Sequence, residues 1–127
     1  MSQNAEQIVQ AFLGEMGTRK GLISSIENHC ADRCSWSNTG LPTADNKAAM
    51  IATMQSFIDG FQLDRMVVEF VAIAANGNTV LTERIDHLER ADGSKILSLP
   101  VSGTLEIADG KVVRWSDYFD PRPFLPG

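Results

Sequence analysis

Cysteine and histidine are scarce in this chain, with two of each. Cys30 and Cys34 do not make the disulfide framework of a small secreted domain. With His29 and His87 they do not make a zinc site either, which needs three or four converging ligands. Buried free cysteines on a helix and a strand are the simpler reading. Basic charge is also short. Lys and Arg number 11 against 16 Asp and Glu, a formal net charge of −5, so nucleic acid and anionic membrane surfaces are not expected partners. No window approaches the ~20 consecutive apolar residues that cross a bilayer. The start, Met1-Ser2-Gln3-Asn4-Ala5-Glu6-Gln7, lacks the basic-then-apolar order of a signal peptide, and a cytoplasmic location is expected. The glycines follow no phosphate-cradling spacing, and no serine sits in a nucleophile elbow. No cofactor or metal is expected.

What is present is an ordinary globular composition, 43% hydrophobic and 21% charged over 127 residues. Residues 1–127 are expected to form one domain, because half of that length could not build a proper core. Ala5, Ile8, Val9, Phe12, Leu13 and Met16 recur at steps of three and four, predicting an amphipathic helix that Gly17 could end. Leu22, Ile23, Ile26 and Cys30 predict a shorter second helix, followed by a strand over 33–38. After a loop carrying Gly40 and Pro42, Asp45 is the expected N-cap of a third helix. That helix would bury Met50, Met54, Phe57, Ile58 and Phe61.

Beyond Gly60 the period changes to two. Strands are predicted near 63–75, 78–90, 94–108 and 111–120, divided by Asn76-Gly77, Asp92-Gly93 and Asp109-Gly110, all suited to tight hairpin turns. The expected class is therefore α+β. Three N-terminal helices pack on a curved, mostly antiparallel sheet and enclose a pocket. The last residues, Asp120 to Gly127, hold three prolines and cannot continue a central strand; they are expected to form a flap or a partner contact.

Strand alternation shows which side chains share a face. Val80, Thr82, Arg84, Asp86 and Leu88 share one face of the second long strand. Leu81, Glu83, Ile85, His87 and Glu89 share the other. Both faces are mixed, so alternation does not choose the inner one. The final strand is plainer: Val113, Trp115, Asp117 and Phe119 lie together. A carboxylate among such neighbours needs a partner or a task. A structural ion pair with an arginine satisfies that requirement as well as catalysis does.

Three segments carry a resemblance: Trp36-Ser37-Asn38 with Pro42 close behind, Val80-Leu81-Thr82-Glu83-Arg84-Ile85-Asp86, and Arg114-Trp115-Ser116-Asp117-Tyr118-Phe119-Asp120. The second and third resemble the Thr-Glu-Arg-x-Asp and Trp-x-Asp-Tyr-Phe-Asp segments of the limonene epoxide hydrolase family. That resemblance implies the cystatin-like cone fold of nuclear-transport-factor-2-like and SnoaL-like proteins, shared with ketosteroid isomerases and polyketide cyclases. It implies that Asp117 is the base that deprotonates the attacking water and that Asn38 orients that water. It implies that Asp86 donates a proton to the epoxide oxygen, and that Arg84 bridges both carboxylates and holds the epoxide side. It also implies a homodimer. One position departs: the family's tyrosine two residues before the asparagine is Trp36 here.

Residue chemistry is compatible with those roles. Opening an epoxide in one step needs a general base for water and a general acid for oxygen. Two carboxylates and a guanidinium carry −1 together, and one added proton neutralises them, so repulsion should split their proton affinities. Which carboxylate keeps the proton stays open. An indole N–H can only donate, so Trp36 could serve the lone pair of water left free by attack. The expected substrate is a small apolar epoxide that becomes a vicinal diol. It would be walled by Leu88, Leu97, Leu99, Val101, Phe119 and Phe124, with Met54 and Phe57 opposite. A proton-transfer isomerase or polyketide cyclase-like enzyme of the same fold is the alternative, and a non-catalytic ligand-binding protein the third reading.

Overall fold

The computed structural model describes residues 3–126. Helix α1 spans Ala5–Gly14 and begins on a capping box. The Asn4 side chain accepts from the Gln7 amide at 2.9 Å, and the Gln7 side chain accepts from the Asn4 amide at 3.0 Å. These bonds satisfy two otherwise orphaned donors. A single 3₁₀ turn, Glu15–Gly17, extends α1. Helix α2 runs over Gly21–His29, and α3 over Lys47–Phe61. Asn46, not the expected Asp45, caps α3. Its backbone is extended and its side chain accepts from Ala49 N at 2.8 Å, the spacing a cap requires.

The strands are β1 (Cys30–Asn38), β2 (Arg65–Asn76), β3 (Thr79–Glu89), β4 (Lys95–Ala108) and β5 (Lys111–Tyr118). Cys30 thus opens a strand instead of closing a helix. It occupies an inward position in either element, which is why the helical spacing appeared to include it. Both cysteines lie on β1, buried and free. The last strand stops at Tyr118, two residues short of the expectation.

The sheet order is β1-β5-β4-β3-β2. Three neighbouring pairs are antiparallel, while β1 joins β5 in parallel. Local turns make the antiparallel part. At Asp109-Gly110 both residues have positive φ, 50° and 76°, as a type I′ hairpin demands. The β2–β3 turn sits one residue later than expected. Gly77 and Asn78 are its central pair, since Asn76 still pairs with Thr79.

The helices cover one face of the sheet. Val9, Phe12, Leu13, Leu22, Ile26 and Met50 meet Val80, Leu105, Val112 and Trp115 in the core. This is the expected α+β arrangement. The opposite face of the sheet presents Val71, Leu81 and Tyr118 to solvent. No helix of the described residues is long and apolar enough to cross a membrane.

Candidate active site

The covered face of β3 is the one carrying Val80, Thr82, Arg84, Asp86 and Leu88, alternately buried along the strand. Arg84 and Asp86 point the same way because they are two residues apart. Asp117 lies two strands away on β5, and Gly103 of β4 is its direct partner. The Arg84 side chain spans that intervening strand.

Arg84 is 1% exposed, Asp86 4% and Asp117 5%. Arg84 Nε donates to Asp86 Oδ1 at 3.1 Å and Nη2 to Asp86 Oδ2 at 2.9 Å. Toward β5, Nη1 donates to Asp117 Oδ1 at 3.0 Å and Nη2 to Asp117 Oδ2 at 2.8 Å. Nη1 also donates to Thr82 Oγ1 at 3.2 Å. A guanidinium has five N–H bonds, and all are used. None is left for a substrate oxygen, so Arg84 acts by holding the two carboxylates.

The charges are strongly coupled. Burial raises the proton affinity of Asp117, and Asp86 adds repulsion; the attraction of Arg84 and its hydrogen bonds oppose this without reversing it. Burial works against the charge on Arg84, but Asp117 and Asp86 more than offset it and the guanidinium stays protonated.

Both carboxylates, with Arg84 behind them, border a cavity of about 60 Å³. One water needs ~10–15 Å³, so the chamber has room for more than one water. Trp36, Asn38, Met54, Phe57, Leu88, Leu99, Val101, Phe119 and Phe124 line it, as do Leu41, Phe61, Leu63, Met66 and Trp115. Leu97 does not. It is half-buried at the margin of the core, opposite Leu88 and next to the register shift after that residue. An adjoining pocket of about 240 Å³ shares Asn38, Leu41 and Phe57 with the chamber and adds Pro42, Thr53 and Ser56.

The parallel pairing of β1 with β5 sets Trp36 beside Trp115 and Asn38 beside Asp117. The indoles stack with centroids 4.3 Å apart and planes within 3°. Their two N–H groups are buried without partners among the described residues. Thr39 ties the strand ends together, since its amide donates to Asp117 O at 3.2 Å. The tail folds back as a 3₁₀ turn, Arg122–Phe124. Phe124 there meets Phe57, Phe61 and Phe119 at centroid distances of 6.0, 5.6 and 5.5 Å. The tail therefore forms a flap over the chamber.

Thr39, Thr82 and Gly103 had no role in the sequence reading. Two of them left a trace: Thr82 lies in the second motif segment on the face of Arg84 and Asp86, and a glycine in the inward row of a strand, as at Gly103, marks a close approach. His87 remains outside the site, bonded to Ser98 Oγ at 2.8 Å and Glu69 Oε1 at 2.9 Å.

Residues 3–126 match the family described as the limonene-1,2-epoxide hydrolase catalytic domain. The chain belongs to that family. Among its relatives, epoxide hydrolase EphG of Mycobacterium tuberculosis is 29% identical over 122 residues, covering 94% of this chain and 75% of that one. The solved structure of an M. tuberculosis LEH-like epoxide hydrolase has a TM-score of 0.73 at 25% identity, covering 94% of this chain and 84% of that one. An NTF2-like protein from Burkholderia pseudomallei K96243 reaches a TM-score of 0.76 at 15% identity, covering 96% and 95% of the two chains, a likeness of fold alone. Family membership points to the epoxide hydrolase class of hydrolases.

Proposed function

We propose that this chain adds water to a small, mostly apolar epoxide and releases a vicinal diol in one step. The observation that carries the proposal is the pair of buried carboxylates facing one apolar chamber, clamped by a guanidinium with no free N–H. Asp117 takes a proton from water as the oxygen attacks an epoxide carbon. The C–O bond breaks, and Asp86 delivers its proton to the departing oxygen. Asp117 gains one proton and Asp86 loses one, so a single transfer between them resets the site.

A base that must deprotonate water benefits from a raised proton affinity, and burial supplies it to Asp117. Asn38 stands beside Asp117 across the parallel pair and orients the water. The unpartnered N–H of Trp36 donates to the remaining lone pair of that water, the role a donor-only group can fill. Leu88, Leu99, Val101, Phe119, Phe124, Met54 and Phe57 wall the substrate. Leu97 supports this wall from outside the lining.

A panel of cyclic and terpene-like alkene oxides with diol detection tests the reaction. We expect at least one to be hydrolysed, and Asp117→Asn to lose about 10²–10⁴-fold in kcat while keeping the fold. An isomerase would yield no diol and would exchange substrate hydrogen with deuterated solvent. A binding protein would retain the epoxide unchanged. We also propose a homodimer formed through the uncovered face of the sheet, where Val71 and Leu81 are exposed; sedimentation of one species at monomer mass would contradict it.

A further inference from the structure

We propose that Thr82 and Gly103 are positioning residues that set how Arg84 holds Asp117, and through it the proton affinity of Asp117. Thr82 is 6% exposed and lies on β3 beside Gly103 of β4. Its hydroxyl donates to the Gly103 carbonyl at 3.0 Å. A hydroxyl has one hydrogen. With that hydrogen committed to a ladder carbonyl, only lone pairs face Arg84 Nη1 at 3.2 Å. Thr82 therefore takes the fifth N–H of the guanidinium and fixes the rotation of its fork. In that rotation the other four N–H bonds reach the two aspartates.

Gly103 supplies the space. A Cβ there would overlap both Arg84 Nη1 and Asp117 Oδ1, and would stand 3.1 Å from Thr82 Oγ1. None of the three can yield freely. Each is buried and engaged in hydrogen bonds, and Gly103 is paired on both sides by β3 and β5. Any side chain would stand where the guanidinium crosses β4, separating it from Asp117 and leaving Asp86 as its partner. Losing a nearby opposite charge raises the proton affinity of a carboxylate, commonly by about 1–3 units.

The test is a carboxyl ¹³C NMR titration of Asp117, assigned by its absence in Asp117→Asn, run on the full chain. Gly103→Ala should raise the midpoint by about one unit or more. Thr82→Val should raise it by a smaller amount, and Thr82→Ser should titrate like wild type. A folded Gly103→Ala or Thr82→Val with an unchanged midpoint overturns the proposal. A Thr82→Ser that behaves like Thr82→Val also overturns it, because a hydroxyl would then not be the cause. If Gly103→Ala does not fold by circular dichroism, the two Thr82 variants decide.

The kinetic readout rests on the epoxide hydrolase reading: the acidic limb of kcat/KM should move upward with the NMR midpoint in each variant. Shifted midpoints in the variants, with a wild type that opens no epoxide, leave the positioning role standing and defeat only that reading. Active enzyme with unmoved midpoints does the reverse.

Discussion

Replacing Arg84 by Met keeps much of the volume and removes the only positive charge among the described residues that contacts Asp86 and Asp117. All five donated hydrogen bonds disappear, and two buried carboxylates are left facing each other. Breaking a buried ion pair by removing one partner costs about 3–5 kcal/mol. Unfolding entropy is about 2.1 cal/mol/K per residue, which over 127 residues comes to roughly 0.27 kcal/mol/K. The expected loss in Tm near neutral pH is therefore roughly 11–19 °C. The loss should narrow in acid. Without Arg84 the folded state holds protons on these carboxyls more tightly than the unfolded chain does. Stability of the variant then rises as pH falls, because protonation removes the buried charge. Thermal unfolding followed by circular dichroism at about pH 7.5 and about pH 5 measures both effects. A variant within about 3 °C of wild type at neutral pH would refute the reasoning, because the cluster would then not be a buried, mutually dependent set. So would a deficit equally large at both pH values.

Other consequences concern activity. Because burial raises the proton affinity of Asp117, kcat/KM should fall with acid at a pH above the ordinary aspartate range; an acidic limb at or below that range would contradict a base held in this environment. Trp36→Phe keeps the stack on Trp115 but deletes the N–H, and should lower kcat by roughly 2- to 12-fold, the worth of one hydrogen bond. An unchanged kcat would remove Trp36 from the water site. Phe124→Ala deletes ring contacts with Phe57, Phe61 and Phe119, worth about 1 kcal/mol where substrate binds beneath the flap, so KM should rise about five-fold. No change in KM would mean that the flap does not cover bound substrate.

The elements that local rules govern were legible in the sequence. The steps of three and four in α1 and the positive-φ turn at Asp109-Gly110 announce themselves within a few residues. Asp117 stood out because alternation sets it with Trp115 and Phe119; Val113 was placed there too, but a register shift between β4 and β5 puts Val112 in the core beside Trp115 instead. The cap of α3 was misplaced by one residue because Asp45 and Asn46 offer the same chemistry side by side, and only the Ala49 amide decides between them. Long-range arrangement was harder to see. Nothing near Cys30 or Asn38 indicates that β1 docks in parallel on β5, yet this pairing puts Asn38 beside Asp117. Both faces of β3 are mixed, and its inner face makes sense only once Asp117 is brought across β4 to share Arg84. Gly103 signalled only a close approach, because the Arg84 and Asp117 side chains that crowd it come from β3 and β5. Leu97 follows the alternation of Leu99 and Val101 but falls beyond the end of the chamber, a matter of position along the strand that alternation does not encode.

The most direct test of the central claim, water activation by Asp117, is a single turnover in ¹⁸O-water with enzyme in excess over epoxide. The account predicts one ¹⁸O in the diol of that first turnover and none in the protein, with no diol from Asp117→Asn on the same timescale. Unlabelled diol accompanied by ¹⁸O in an aspartate carboxylate would mean that the carboxylate itself attacked carbon, and would contradict it.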